Sequence, residues 1–356
     1  MSLPTSSVRY PSVRYPLAAS MIIVRSCQIL LVTVFVGGCS SDQDDAIQPP
    51  LTLNQLRGGI ELEQRSSQTV TAQLDSTSRR RDIITEHLRL LVGDTSIPAI
   101  ACYSSLANTR PLPGLLWMPG SPNIKEDLMY PLDLLPRWAE EGFFVMSIDR
   151  PFHGDRPGNR EREIRQRGWP PVFGDYVADL TLSLDYLASR SQVDPERLGM
   201  VGLSTGGLEA LVVGALDPRV KAVVCVSGQL AWPQVFATDA WKHIFAGLSL
   251  ADSLVAARTP GPQALVCFTE QMPGLGVLDA ARVAPLLAPR PLLLLGGTND
   301  PLVPVASARA TAAAAAEAYA RAGVPQRFAM ELEPGRGHAF SKKMQAQVLA
   351  WCQRWL

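Results

Sequence analysis

The sequence predicts an α/β fold, a mostly parallel central sheet with helices on both faces. Short apolar runs bounded by turn residues, such as 143–149 and 291–297, read as strands buried on both sides. These runs alternate with stretches of helical period, the rhythm of strand–helix–strand units. At Met200-Val201-Gly202-Leu203-Ser204-Thr205-Gly206-Gly207 a strand runs into a sharp turn and then a helix, with one serine at the tip. The turn would lift that hydroxyl clear of the sheet and set the next N–H at a helix N-terminus, where a developing oxyanion is stabilised.

The elements follow in order. Residues 87–92 alternate like a half-buried strand, Gly93-Asp94 turns the chain, and 97–103 returns as a second strand, so the domain opens on a hairpin. Residues 113–120 form a short apolar run ending in a turn. Residues 128–141 read as a helix with Leu132, Leu134, Leu135 and Trp138 as its apolar positions, Pro136 as a break or kink and Gly142 as its stop. The strand at 143–149 leads into a loop at 150–156. A helix is expected at 175–189, the strand entering the turn at 197–203 and the helix leaving it at 208–215. Strands at 220–228 and 291–297, an Ala-rich helix at 311–322, a last short strand at 328–332 and a closing helix at 341–355 complete the domain. Between 229 and 289 the rhythm breaks. Trp232, Phe236, Trp241, Phe245 and Phe268 are scattered among short helical pieces, which suits a small cap over the site.

Composition excludes several classes. The chain is 47% hydrophobic and 19% charged, which is globular. Lys plus Arg and Asp plus Glu both number 33, so no basic excess points to nucleic acid. The six cysteines (Cys27, Cys39, Cys102, Cys225, Cys267, Cys352) form no C-x-x-C pair, so neither a metal site nor a redox dithiol is expected. Cys102 and Cys225 read as buried small hydrophobes, and a disulfide among the last four stays open.

The N-terminal region reads as an address. Residues 7–11 and 12–16 are tandem near-copies with no fold of their own, and translation is expected to start at Met21. Arg25 precedes an apolar run at 29–36, too short to span a bilayer and suited to the core of an export signal. Val36-Gly37-Gly38-Cys39 resembles a bacterial lipobox, which implies cleavage before Cys39 and lipid on its thiol. The expected organisation is a signal over 1–39, a flexible polar tether over 40–73 and one domain over 74–356, with the cap at 229–289. The protein is then expected in the bacterial cell envelope, on the outer membrane or periplasmic side, with the lipid on Cys39 as its membrane contact.

A serine hydroxyl needs a base, and the base needs a third group to orient it. Of the four histidines, His87 lies in the opening hairpin, His153 in the loop after a central strand and His243 in the suspected cap. His338, between the last strand and the last helix, can swing to the carboxyl edge of the sheet. Asp300 follows the strand at 291–297. The order Ser204, Asp300, His338 is the order of nucleophile, acid and base in α/β-hydrolases, and each stands at the carboxyl end of a strand.

On the motifs GLSTGG, GGTNDPLVP and GRGHAF, with FFVMSIDRPFHGDR beside them, the chain from about Thr85 to Leu356 resembles an α/β-hydrolase of the dienelactone-hydrolase-like and bacterial serine-esterase group. The resemblance implies a Ser204–His338–Asp300 triad and two-step acyl transfer on a small-molecule ester, with no metal or organic cofactor. It departs from the family in two places. True dienelactone hydrolases carry a cysteine where Ser204 stands. Many relatives have His-Gly where this chain has Pro119-Gly120-Ser121-Pro122. The oxyanion hole is assigned to the N–H groups of Ser121 and Thr205, since Pro122 has none. Arg150, His153 and Arg156 are candidates for binding a substrate carboxylate or sugar hydroxyls. The competing reading is that they salt-bridge their own loop through Asp149 and Asp155. Two other functions stay open: a serine peptidase of the acylaminoacyl type, although the region before Thr85 is too short for the propeller of those relatives, and a non-catalytic envelope lipoprotein. Sequence does not give the oligomeric state.

Overall fold

The computed structural model describes residues 51–62, 69–130, 132–156 and 158–356. The expected signal, the lipobox and Cys39 lie outside the described residues.

Nine strands form one sheet: β1 (Thr71–Arg80), β2 (Ile83–Val92), β3 (Thr95–Ser104), β4 (Leu112–Met118), β5 (Phe144–Ile148), β6 (Val193–Leu203), β7 (Val220–Val226), β8 (Leu292–Gly297) and β9 (Phe328–Glu333). Their spatial order is β1-β2-β3-β5-β4-β6-β7-β8-β9. The first three strands and β5 pair antiparallel, and every pair from β5 to β9 is parallel. This is the architecture of the α/β-hydrolase fold.

The central strands are largely apolar because both faces are covered, with Ser147 of β5 and Lys221 of β7 among the exceptions, and their side chains sort by the two-residue period of a strand. Leu116, Met118, Met146, Met200, Val223, Cys225, Leu292 and Leu294 enter one core, against the helices Trp169–Ser189, Thr205–Leu216 and Val305–Arg321. Leu115, Trp117, Val145, Val201, Val224, Val226, Leu293 and Leu295 enter the other, against Leu134–Glu140 and Lys342–Trp355. Ser341 caps the last helix through the Met344 N–H.

Two expectations are corrected, one unexpected helix is added and one open question is answered. Residues 51–62 are not a flexible, exposed tether. The helix Leu53–Gly59 starts on a capping box between Thr52 and Gln55, and Leu51, Leu56, Ile60 and Leu62 are buried in the main core. Arg57 donates to the Leu216 carbonyl at 3.1 Å, tying this helix to the end of Thr205–Leu216. The helix expected over 128–141 is shorter: a 3₁₀ turn covers Lys125–Leu128, and the helix runs from Leu134 to Glu140. Pro136 therefore sits in a first turn, where its missing N–H has no intrahelical role. The loop after β5 contains a helix, Arg160–Arg167, that the sequence did not announce, since its only buried residue is Ile164. Cys102, Cys225, Cys267 and Cys352 are all free thiols.

The segment 229–289 folds into short helices, including Trp232–Phe236, Ala240–Ile244, Ser249–Ala256 and Gly261–Gln271. An aromatic cluster holds them together. The Phe245 and Phe268 rings lie 4.6 Å apart, and Trp232 meets Trp169 edge-on at 5.6 Å. Trp169 opens the helix Trp169–Ser189, so the excursion docks on that helix. Among the described residues no helix is long and apolar enough to cross a membrane.

Candidate active site

The turn after β6 is held in an unusual conformation. Ser204 has φ 56° and ψ −120°, outside the regions open to most side chains, at a typical cost of about 1–3 kcal/mol. Its N–H donates to the Val226 carbonyl at 2.8 Å, and its own carbonyl accepts from Gly207 at 2.9 Å and Leu208 at 3.1 Å. A Cβ at position 202 would fall 1.9 Å from the Gly206 carbonyl oxygen, so the strand can meet the helix this closely only through glycine. Thr205 then begins the helix, with its N–H free of any hydrogen bond among the described residues.

Asp300 stands in the turn after β8 with 1% of its side chain exposed. Its Oδ1 accepts from the N–H groups of Leu302 and Val303, each at 2.9 Å, and its Oδ2 accepts from His338 Nδ1 at 2.8 Å. Burial pushes this carboxyl up, but the His338 bond and the two backbone donors outweigh it, so it lies below the usual aspartate value. Because a carboxylate only accepts, the histidine proton sits on Nδ1 and the Nε2 lone pair is left open. The loop carrying His338 is pinned where it leaves β9: Gly335 N–H donates to Thr298 Oγ1 at 2.7 Å and Asn299 N–H to the Arg336 carbonyl at 2.8 Å. Farther along, the Phe340 ring packs 5.6 Å from Trp117 of β4. The loop thus reaches back over β8, β7 and β6. The structure joins His338 to Asp300. Among the described residues it forms no hydrogen bond between His338 and Ser204.

On the other side of Ser204 lies the loop after β4. A Cβ on Gly120 would fall 2.9 Å from the Ser204 Cβ, so the two backbones touch. The Ser121 N–H makes no hydrogen bond among the described residues, while its hydroxyl donates to His153 Nε2 at 2.9 Å. The direction follows from the opposite nitrogen: His153 Nδ1 lies 2.9 Å from the Pro151 carbonyl, which can only accept. Burial pulls the His153 imidazole down to about 4, so it stays neutral and keeps its lone pair for Ser121.

The three residues put forward for substrate binding prove mostly structural. Arg150 is 2% exposed and forms a two-pronged ion pair with the fully buried Glu209, at 2.7 and 3.0 Å, while its Nη2 also donates to the Pro119 carbonyl at 2.6 Å. Arg156 pairs with Asp179. His153 lines the cavity, but both its nitrogens are taken. The alternative of local bridges through Asp149 and Asp155 is also corrected, because those carboxylates go to Lys125 at 2.6 and 3.0 Å. Burial alone would lower the Lys125 ammonium, but its carboxylate partners reverse that and hold it above the usual lysine value.

Sequence reasoning missed Glu209, Lys125, Arg160 and Tyr176. Glu209 had a readable signal, an acid in a helix that is otherwise apolar or glycine (Thr205–Leu216), where an unpaired charge would be very costly. The others depend on tertiary neighbours. Ser121, His153, Arg160, Tyr176 and Thr205 border a narrow cavity of ≈ 60 Å³, which Ile244, Phe245 and Leu248 of the 229–289 segment also line. A wider groove of ≈ 440 Å³ adjoins it, sharing Ile164 and Leu248.

Comparison with known proteins agrees with this fold. A family model described as "Glucuronyl esterase, fungi" matches residues 181–323. A Bacillus subtilis (strain 168) protein named as a hydrolase, YtaP, is 28% identical over 65% of this chain and 73% of its own length. The 4-O-methyl-glucuronoyl methylesterase of Neurospora crassa is 28% identical over 51% of this chain, which spans 46% of that enzyme. Among solved structures, the acetyl xylan esterase from Paenibacillus sp. R4 superposes with a TM-score of 0.63 at 18% identity, covering 85% of this chain and 94% of its own. The chain is a carboxylesterase-like serine hydrolase on the α/β-hydrolase fold.

Proposed function

We propose that the protein hydrolyses small or carbohydrate-borne carboxylic esters by two-step acyl transfer, with Ser204 as nucleophile, His338 as base and Asp300 as the group that orients it. The observation that carries this reading is a serine held at φ 56°, ψ −120° on a strand end, with the buried Asp300 after β8 hydrogen-bonded to the partly exposed His338 after the neighbouring β9. Ser204 Oγ attacks the carbonyl carbon while its proton passes to His338 Nε2. The C–O bond then breaks, and the alcohol leaves with that proton. Water repeats the sequence: His338 takes its proton, the hydroxide releases the acid, and the proton returns to Ser204. Asp300 stabilises the imidazolium without being protonated. The N–H groups of Ser121 and Thr205 receive the oxyanion. Support for the substrate class comes from the named activities of relatives, glucuronoyl methyl ester and acetyl xylan ester cleavage.

The test is hydrolysis of short-chain aryl esters by the purified domain and by Ser204→Ala. The variant is expected to lose about 10⁴-fold or more in kcat and to lose labelling by a fluorophosphonate probe. Equal rates in the two proteins overturn the assignment. We further propose export with a lipid on Cys39, supported by the lipobox resemblance. Mass spectrometry of the protein recovered from a bacterial envelope reads this directly, and a Cys39 without lipid refutes anchoring.

A further inference from the structure

We propose that the cavity beside Ser204 contains an anion subsite, in which the Arg160 guanidinium and the Tyr176 hydroxyl receive a carboxylate carried by the ester substrate near its scissile bond. This rests on the hydrolase reading above and specifies what that site selects.

The surrounding arginines are engaged: Arg150 with Glu209, Arg156 with Asp179, Arg165 with Glu161 and Arg167 with Asp175. Arg160 has no ion pair among the described residues. Its one side-chain hydrogen bond among the described residues, to Ser121 Oγ, spans 3.5 Å, too long to be a strong one. Among the described residues no carboxylate lines the cavity, so the Arg160 charge is uncompensated where it borders that space.

Tyr176 is 2% exposed, and its hydroxyl has no hydrogen-bond partner among the described residues although the residue borders the same cavity. A buried hydroxyl left without a partner is costly, and such groups are normally satisfied. Burial pushes this phenol up to about 12, so it remains a donor at any working pH. A guanidinium and a phenol O–H both donate, and an acceptor-only carboxylate answers both. His153 offers no competing proton, since it is neutral and both its nitrogens are bonded.

Ser121 touches Arg160 on one side. On the other it adjoins Gly120, where a Cβ would lie 3.6 Å from Ser204 Oγ. A carboxylate held at Arg160 therefore sits within a few bonds of a carbonyl presented to Ser204.

The experiment compares matched esters that differ in one charge: mono-p-nitrophenyl adipate against p-nitrophenyl hexanoate, and 4-acetoxybenzoate against phenyl acetate. The pairs place the carboxylate on the acyl and the alcohol side. In at least one pair, Arg160→Met is expected to lower kcat/KM for the charged ester by about 10- to 100-fold and for its neutral partner by less than about threefold. Arg160→Lys should recover part of the loss, and Tyr176→Phe should lower the charged ester by about three- to tenfold. A charged-to-neutral ratio that Arg160→Met leaves within about twofold in both pairs overturns the subsite. The neutral esters report on the hydrolase reading separately. If they too go unhydrolysed, calorimetric titration with adipate still decides the subsite: binding to the native protein that Arg160→Met abolishes supports it, and no binding refutes it.

Discussion

The two sides of Ser204 are built on different principles. On the β8–β9 side, one carboxylate meets one imidazole, and the remaining oxygen of Asp300 goes to two backbone donors. On the β4–β5 side, charges are plentiful and nearly all are spent on the scaffold. Arg150–Glu209 joins the loop after β5 to the helix leaving the nucleophile turn, and Lys125 gathers Asp149, Asp155 and Glu126. The sparse side carries what proton transfer needs, and the dense side keeps the backbone donors in place. A charged residue beside a site is therefore informative when its partners have been counted and one charge is left over.

The largest expected effect tests the sparse side. Asp300→Asn should lower kcat by about 10⁴-fold with little change in unfolding midpoint, because an amide cannot hold the same histidine tautomer. A loss below about tenfold in steady-state kinetics would mean that Asp300 only supports its turn. The dense side should answer in the opposite way. Arg150→Met leaves Glu209 buried and unpaired and should cost about 3–5 kcal/mol in urea unfolding, with activity lost only as the fold loosens. The double variant Arg150→Met/Glu209→Leu should recover much of that stability, which would separate the unpaired charge from any direct part in catalysis.

A smaller effect concerns His153. Its folded-state value of about 4 lies below the ordinary 6.5, so the unfolded chain binds more protons between these values and stability rises with pH across that window. Unfolding free energy should therefore fall from pH 6.5 towards pH 4, and His153→Gln should flatten that part of the slope, as read by urea titrations at pH 5 and pH 7. The smallest effect is distant from both sides. Thr52→Ala removes the cap of the helix Leu53–Gly59 and should cost about 1 kcal/mol with kcat/KM unchanged.

The sequence made the sparse side legible because its chemistry depends on spacing along the chain. A glycine-flanked serine after a strand, an aspartate after the next-but-one strand and a histidine after the last are one-dimensional signals. The parallel sheet was legible for the same reason, since strands covered on both faces have few polar positions. The dense side was not legible. Arg150 reads as a loop arginine until the helix fifty-nine positions later supplies Glu209, and Arg160 stands out only once its neighbours are paired. The helix Leu53–Gly59 was hidden by composition. Its surroundings are polar, yet Leu56 and Ile60 four positions apart, just after a Thr-x-x-Gln box, carried the pattern of a docked turn.

Arg150 has a consequence for redesign. One guanidinium grips Glu209 on the helix behind the serine and the Pro119 carbonyl before the oxyanion loop, while its own backbone continues β5. Registration among three strand ends therefore passes through a single side chain. The walls of the proposed substrate site, Arg160–Arg167 and the 229–289 segment, lie outside that junction. Selectivity can then be exchanged like a fitting, by grafting those two walls, while the alignment of the catalytic parts is inherited intact.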